Sequence, residues 1–480
     1  MASFQELQEK HGEDVKKLIE ILSKDTIEDR AQGEYIEEFD GDRIRRAKSV
    51  GKRENKTVDV FAENETTGEV KKTGTKTVIT SKIALPFPKK IVRARTHFLF
   101  GGEMTVSSAE SGVGINTFKQ TWDESLKMQN VLKKLARTCM VETKAAVIFY
   151  PAPAQIDGKD AVKLRAQVLD TDSGDFFPHF DDMGDMDAFI FRYITKDVND
   201  KAIEKAKIYT AEKIMVYTKQ GGSWEVDEKG DQQNLFGKIP VVYVEQNEPE
   251  WENVTPMIDE FENRISRLAD TNDYFSEPLL KIFGNVSKMP GKDEVGRVLE
   301  FPMYEDDQSG KKIHGDAEYA TWDHVPESVK LNLETAWDTI FAMSSTPDLS
   351  FNNVKGSGNV SGVAMQLMFM DAFMAREEKM EIFDPALRRC ISVVLAGVTK
   401  ISNVKLAKGA SLESVDVKFT GILPEDVADF IDTLVAATGG KPIMSQETAS
   451  SINPLNKDSD EEIARIRSEA ETTPNEIFNM

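Results

Sequence analysis

The densest set of potential ligand atoms lies at 169–187, in the run LDTDSGDFFPHFDDMGDMD. Asp170, Asp172, Asp175, Asp181 and Asp182 could gather a divalent cation, and a metal-dependent nuclease would use such carboxylates to activate water. The spacing is not that of an EF-hand loop, and no glutamate closes the loop at its twelfth position. A turn-rich acidic loop between strands accounts for it better. The five histidines, His11, His97, His179, His314 and His324, are scattered without metal-ligand spacing. The sequence has no GxxxxGK[ST], no HExxH and no GxSxG, so phosphate-loop, zincin and serine-hydrolase chemistry lack their residues. The glycines of GSGNVSG, from Gly356 to Gly362, do not follow a strand, so a dinucleotide fold is not indicated. Neither an enzyme site nor a cofactor or metal site is expected.

The composition narrows the field further. The 480 residues are 40% hydrophobic and 30% charged, enough for a large core and more than one folding unit. Cys139 and Cys390 form no CxxC pair, so free thiols in a reducing compartment are expected. No apolar run approaches the length of a membrane span, and the charged N-terminus lacks a signal-peptide core. A soluble protein made in the cytoplasm is the expectation. The net charge of −22 argues against ordinary nucleic-acid binding, which needs a basic footprint. The densest basic cluster is Arg43, Arg45, Arg46, Lys48, Lys52 and Arg53, read as a solvated face rather than a partner contact.

With no catalytic constellation, the elements themselves become the subject. Two helices organise the chain. In EWENVTPMIDEFENRISRLADTNDYF the residues Val254, Met257, Ile258, Phe261, Ile265, Leu268 and Phe275 recur at three- and four-residue steps and share one face. In PESVKLNLETAWDTIFAM the set is Leu333, Ala336, Trp337, Ile340 and Phe341, with Pro326 tolerated in the first turn. The loop PDLSFNNVKGSGNVSG then leads into a third helix starting near Ser361. Pro385 should kink or break that helix, and the helical period then resumes to Ile401. Met365, Met368, Met370, Met374 and Met380 crowd this helix. Core filling explains them best, with an adaptable contact surface as the alternative.

Around this centre, residues 1–28 read as an amphipathic helix carrying Leu7, Val15, Leu18, Ile19 and Leu22. The polar segment 40–75 reads as a mobile or hairpin-like surface element. TVITSKIALPFP reads as a strand, KKIVRARTHFLF as a helix stopped by Gly101 and Gly102, and MTVSS as a strand. Residues 115–138 read as a helix and 145–150 as a buried strand. From 160 to 246 the alternation of VKLRAQV, AFIFRYI, KIMVYT and WEV around a QGGS turn reads as antiparallel sheet. VKLAKGASLESVDVKFTG reads as strands, and three more helices follow.

The chain resembles the portal proteins of tailed double-stranded DNA bacteriophages, the type with a long stem and a tunnel loop. Five stretches carry the resemblance: KKIVRARTHFLFGGEM; IPVVYVEQNEPEWENVTPMIDEFENRISRLADTNDYFSEPLLKIFG; PDLSFNNVKGSGNVSGVAMQLMF, with a Ser-Gly-Val-Ala signature at Ser361 to Ala364; LPEDVADFIDTLVAATGGKPIMSQETA; and DSDEEIARIRSEAE. It extends over roughly 80–470, and the 40–75 segment departs from it.

The resemblance implies an α+β portal fold. Its parts would be an N-terminal helix (1–29), an α/β wing (30–250), a first stem helix (251–277), a small α/β clip (278–324), a second stem helix (325–346), a tunnel loop (347–360), a long kinked wing helix with strands (361–420) and an α-helical crown (421–480). It implies a ring, of twelve subunits in the usual case, at the unique capsid vertex of the virion. That ring would dock the terminase large subunit, pass double-stranded DNA in packaging and ejection, and join a head-tail adaptor, with major capsid and scaffolding proteins around it. The tunnel loop would meet DNA through Asn352, Asn353, Lys355, Gly356, Ser357, Gly358 and Asn359. Asp259, Glu260, Glu262, Asp270, Glu334 and Asp338 are the candidates for the acidic channel wall. Tyr304, Glu305, Asp306, Asp307, Lys311 and Lys312 are the candidates for terminase or adaptor contact. Short clip strands, at IFG, VGRVLEF and AEYATW, are expected to pair between neighbouring subunits. Another virion protein, such as a head-completion or capsid-associated protein, is the first alternative, and a metal-dependent nuclease the second.

Overall fold

In the computed structural model, the described residues are 2–12, 14–24, 31–41, 50–63, 70–102, 104–108, 113–156, 159–196, 200–228, 230–276, 279–283, 304–305, 312–313, 316–320, 326–348, 367–401, 415–419, 427–439, 442–453, 455–456 and 459–472. They form a mixed helix-and-strand fold in which every strand pair is antiparallel.

The meander read between 160 and 246 is present. Strands Asp175–Phe180, Met186–Lys196, Ala202–Tyr209, Lys213–Gln220 and Ser223–Val226 lie side by side in chain order. Its alternation is used on both faces. Ala188 and Ile190 face Leu18, Ile19 and Leu22, while Phe189 and Phe191 face Ala146, Ile239 and Val241. The N-terminal segment meets this sheet as two helices, α1 (Phe4–His11) and α2 (Val15–Leu22), rather than one. Asp14 stops continuity by capping the second, its carboxylate accepting the Lys17 N–H.

The acidic run forms the turns flanking Asp175–Phe180. Asp170 accepts from the Ser173 N–H at 3.0 Å and pairs with Lys134 at 3.2 Å. Asp181 accepts from the Met183 and Asp185 amides, both at 2.9 Å. Among the described residues, no three histidine, cysteine or acidic side chains gather as a metal-ion site would.

The main core lies between a three-stranded sheet and three helices. Lys144–Ile156 is the central strand, between Val241–Glu245 and Lys159–Leu169. Over it lie α4 (Phe87–Phe100), α6 (Met128–Glu142) and the long helix α9 (Met370–Lys400). Residues 115–138 are not one helix: α5 (Val113–Gln120) runs into a π turn at Thr121–Ser125, and Lys127 takes a left-handed φ of 52° before α6 begins. The described part of α9 continues unbroken through Pro385 for 31 residues. An interior proline costs about 3 kcal/mol. Phe383, Ala386, Leu387, Cys390 and Ile391 are buried on either side of it and hold the helix together. Met368, Met370 and Met374 are exposed, so core filling is not their role in the single chain; Met380 packs on the core, and Met365 lies outside the described residues.

The 77–88 segment is a strand only to Val78. Lys56–Glu63 and Val70–Val78 pair as an isolated hairpin, and 79–86 then runs without strand partners into α4. The three C-terminal helices occur at Val427–Thr438, Gln446–Ile452 and Ser459–Thr472, and Val415–Phe419 pairs with Met104–Ser108.

Candidate functional site: a paired helical stem and its attachment to the body

The two organising helices exist as read. They are α7 (Thr255–Ser276) and α8 (Pro326–Met343), packed on each other. The apolar stripes face inward: Val254 in the turn just before the first helix, Ile258 and Phe261 on it, and Ala336, Ile340 and Phe341 of the second are buried in the main core. Toward the far end of the pair the cover is lost. Glu327, Ser328, Val329, Lys330, Leu331 and Asn332 are all exposed.

Two devices fix the base of this pair. The first is polar. Leu85 N–H donates to the Glu262 carboxylate at 2.8 Å, Ile83 N–H to the Ser266 hydroxyl at 2.9 Å, and Ser81 N–H to the Asp270 carboxylate at 2.6 Å. The acceptors are four residues apart on a helix, about 6.0 Å along its axis. The donors are two residues apart on extended backbone, about 6.6 Å. The two pitches match closely enough for three successive bonds, with the segment running opposite to the helix. Ser266 also donates to the Glu262 carbonyl at 2.7 Å. Arg53 closes the ladder, donating to Asp270 at 2.7 Å and to the Ser81 carbonyl.

Glu262 and Ser266 are fully buried, and the Arg53 and Asp270 side chains keep only 13% and 14% of their exposure. This corrects three readings. Glu262 and Asp270 do not line a channel wall, and Arg53 is not part of a solvated basic face. Buried carboxylates need donors, and the backbone of 81–85 supplies them. Burial pushes the Asp270 carboxyl up, but hydrogen bonds from Ser81 and Arg53 outweigh it and hold it below its ordinary value of 3.8. A depressed carboxylate stabilises the fold above its ordinary value, and that contribution is lost as pH falls through the folded value. Asp270→Asn should therefore be less stable than wild type at neutral pH. The difference should shrink as pH falls from about 4 toward 2, read as unfolding midpoints across that range.

The second device is aromatic. Phe87, at the start of α4, sits 5.6 Å from Phe261, 5.3 Å from Trp337 and 6.1 Å from Phe341, ring centre to ring centre. Lys90 lies over Trp337 and Phe341, 5.2 and 4.1 Å from the ring centres. Its Nζ pairs with Asp348 at 2.8 Å, and Trp337 Nε1 donates to the same carboxylate at 2.9 Å. Asp348 thus pins the chain just before the glycine-rich loop. Nearby, buried Glu250 is held between Arg95 at 3.5 Å and Lys379 at 2.5 Å, tying α4 to α9.

The remaining wall candidates stay on the outside. Glu260 pairs with Arg264 at 2.6 Å, Glu334 with Lys330 at 3.6 Å, and both are exposed, as is Asp338. Asp259 is half-buried, and its carbonyl accepts from Asn263 at 2.9 Å. The tunnel-loop candidates Asn352, Asn353, Lys355, Gly356, Ser357, Gly358 and Asn359 lie outside the described residues, as do Asp306, Asp307 and Lys311. Tyr304 pairs with Ile313 and Glu305 with Lys312 as a two-residue ladder. The described parts of two of the three clip stretches pair with each other within the chain, Leu279–Phe283 with Asp316–Ala320. The third, VGRVLEF, lies outside the described residues.

The portal protein of Bacillus phage SPP1 is 24% identical over 298 residues, covering 58% of this chain and 57% of that protein. The chain thus matches just over half the length of that relative. Among solved structures, the neck of an empty gene transfer agent particle computed with C6 symmetry is 10% identical at a TM-score of 0.41, covering 77% of this chain and 90% of that one. The neck of the native particle, computed with C12 symmetry, is 12% identical at 0.40 over the same shares. The family described as phage portal protein, SPP1 Gp6-like, matches residues 42–476, and with that span the chain belongs to the phage portal protein family.

Proposed function

We propose that this chain assembles into a closed ring at one capsid vertex and that double-stranded DNA passes through the ring without chemical change. The observation that carries this reading is the paired stem. It is fixed to the body by three part-buried polar contacts and an aromatic cluster, while residues 327–332 at the start of its second helix are exposed in the single chain. A helical pair built in this way needs neighbours, and a ring of copies supplies them with no open edge. Glu260 of the first stem helix, with Asp259 beside it, forms the lining we assign. An acidic wall keeps phosphates mobile, because stable binding requires cations that displace counterions.

The loop after Asp348 is the one place where contact with DNA is wanted. Lys355 brings one positive charge per copy, and Gly356 and Gly358 let backbone approach a phosphate. Terminase and a head-tail adaptor would meet the 278–324 region, and the C-terminal helices would form the crown. ATP hydrolysis would be left to the terminase. Negative-stain class averages down the particle axis test the ring: a central hole supports it, and a compact monomer at every concentration ends it. Lys355→Glu, or deletion of 353–358, should reduce DNA retention or packaging while rings still form. Packaged genomes of normal length in either variant would overturn the role of the loop.

A further inference from the structure

The hairpin Lys56–Glu63 with Val70–Val78 has no place in any core described so far. Every described side chain on it is exposed, including Val58 at 49%, Val60 at 41% and Val78 at 43%. An isolated two-stranded hairpin is marginal in water, yet the root of this one is held firmly. Arg53 and Ser81 both bind Asp270, and the Thr80 N–H donates to Asn55 at 3.2 Å.

The register divides its two faces. Lys56 pairs with Val78, Val58 with Lys76 and Val60 with Gly74, so these residues share one face. That face is a valine centre bordered by lysines. The opposite face carries Asp59, whose carboxylate pairs with Lys72 at 2.7 Å, so its charges are answered within the hairpin.

A matching surface exists on α8. Glu327, Leu331, Glu334 and Asp338 stand at i, i+4, i+7 and i+11, one stripe of the helix, and all are exposed, Leu331 at 65%. It is an apolar centre bordered by carboxylates, the complement of the lysine-bordered valines. The root of the hairpin lies near this part of the helix pair. The hairpin is rooted at Asp270, and the neighbouring turn of α7 shares a groove with α8: Arg267, Leu268 and Thr271 line it with Ser328, Val329 and Asn332.

We propose that the valine–lysine face of the hairpin docks on the Glu327–Leu331–Glu334–Asp338 stripe of a second copy of this chain. The inference rests on the ring reading and specifies one of its seams. It assigns Glu334 and Asp338 to the boundary between copies and not to the channel wall. The occupant is a copy of this chain because the lysine-rich face finds, in a chain of net charge −22, a surface of opposite sign and matched apolar centre.

Two measurements on the full chain test it. Cys139 and Cys390 are both buried, so the double variant Val58→Cys/Leu331→Cys introduces the accessible thiols. Oxidation of assembled rings should give a ladder of covalent dimers and higher multimers. Lys56→Glu/Lys76→Glu should raise the concentration needed for half-assembly about tenfold in sedimentation. Adding Glu327→Lys/Glu334→Lys should bring it back. All these positions are exposed, so the variants fold. Rings that form normally with no ladder, and whose assembly ignores charge reversal, overturn the docking and leave the ring standing. Wild-type chain that never leaves the monomer overturns both.

Discussion

Phe87→Ala should destabilise the protein by about 3–5 kcal/mol, the cost of truncating a buried phenylalanine. Phe87 is 3% exposed and touches Phe261 of α7 and both Trp337 and Phe341 of α8. Without its ring, one cavity opens onto three elements at once, and none can close it alone. The loss should concentrate where the helices meet the body. Denaturant unfolding followed by tryptophan emission reads it directly, because Trp337 lies in the cluster. Phe87→Leu keeps most of the volume and should recover more than half of the loss. A variant as stable as wild type would show that the helices are held elsewhere.

Glu262→Ala should rank second, at about 2–4 kcal/mol. The carboxylate is fully buried and accepts the Leu85 N–H at 2.8 Å. Truncation leaves that part-buried amide without its acceptor, at about 1–3 kcal/mol, and adds a void where the buried carboxylate sat. Glu262→Gln keeps an amide oxygen in the same place and should cost much less. Hydrogen exchange separates the two cases: the amides of Ile83 and Leu85 should exchange faster in the alanine variant, and nearly as in wild type in the glutamine variant. Equal exchange in all three would remove the ladder as a stabilising feature.

The comparison of Glu262 with its neighbours also shows what the residues could tell in advance. The apolar stripes of both helices were legible because packing followed their period at Val254, Ile258 and Phe261 and at Ala336, Ile340 and Phe341, whereas Leu268 lines a groove and the Phe275 side chain lies outside the described residues. The meander was legible for the same reason at period two, with Gly221 and Gly222 at the turn adopting the positive φ expected there. Glu262 was misread because a carboxylate on a long helix is usually solvated. The warning was its place four residues after Ile258 and three before Ile265, beside the apolar stripe. The 77–88 stretch alternates like a strand, and beyond Val78 its amides are used in alternation, but the partners of those at 81, 83 and 85 are side chains of a helix. Local pattern does not carry that information, because it depends on a match between residues nearly two hundred positions apart. Pro385 was expected to disturb α9 on local grounds, and burial on both sides of it prevailed. Of the site itself, the helical pair was readable, its attachment was not, and the hairpin was read as a mobile or hairpin-like surface element without a role.

The ladder between 81–85 and α7 has a mechanical consequence. Its three bonds lie across the direction of any pull along the helix, so they are loaded together and not peeled one after another. Sliding the helix by one turn, about 5.4 Å, would break all three before any could re-form. Such a joint is stiff under axial tension and yields abruptly, as a latch does and a spring does not.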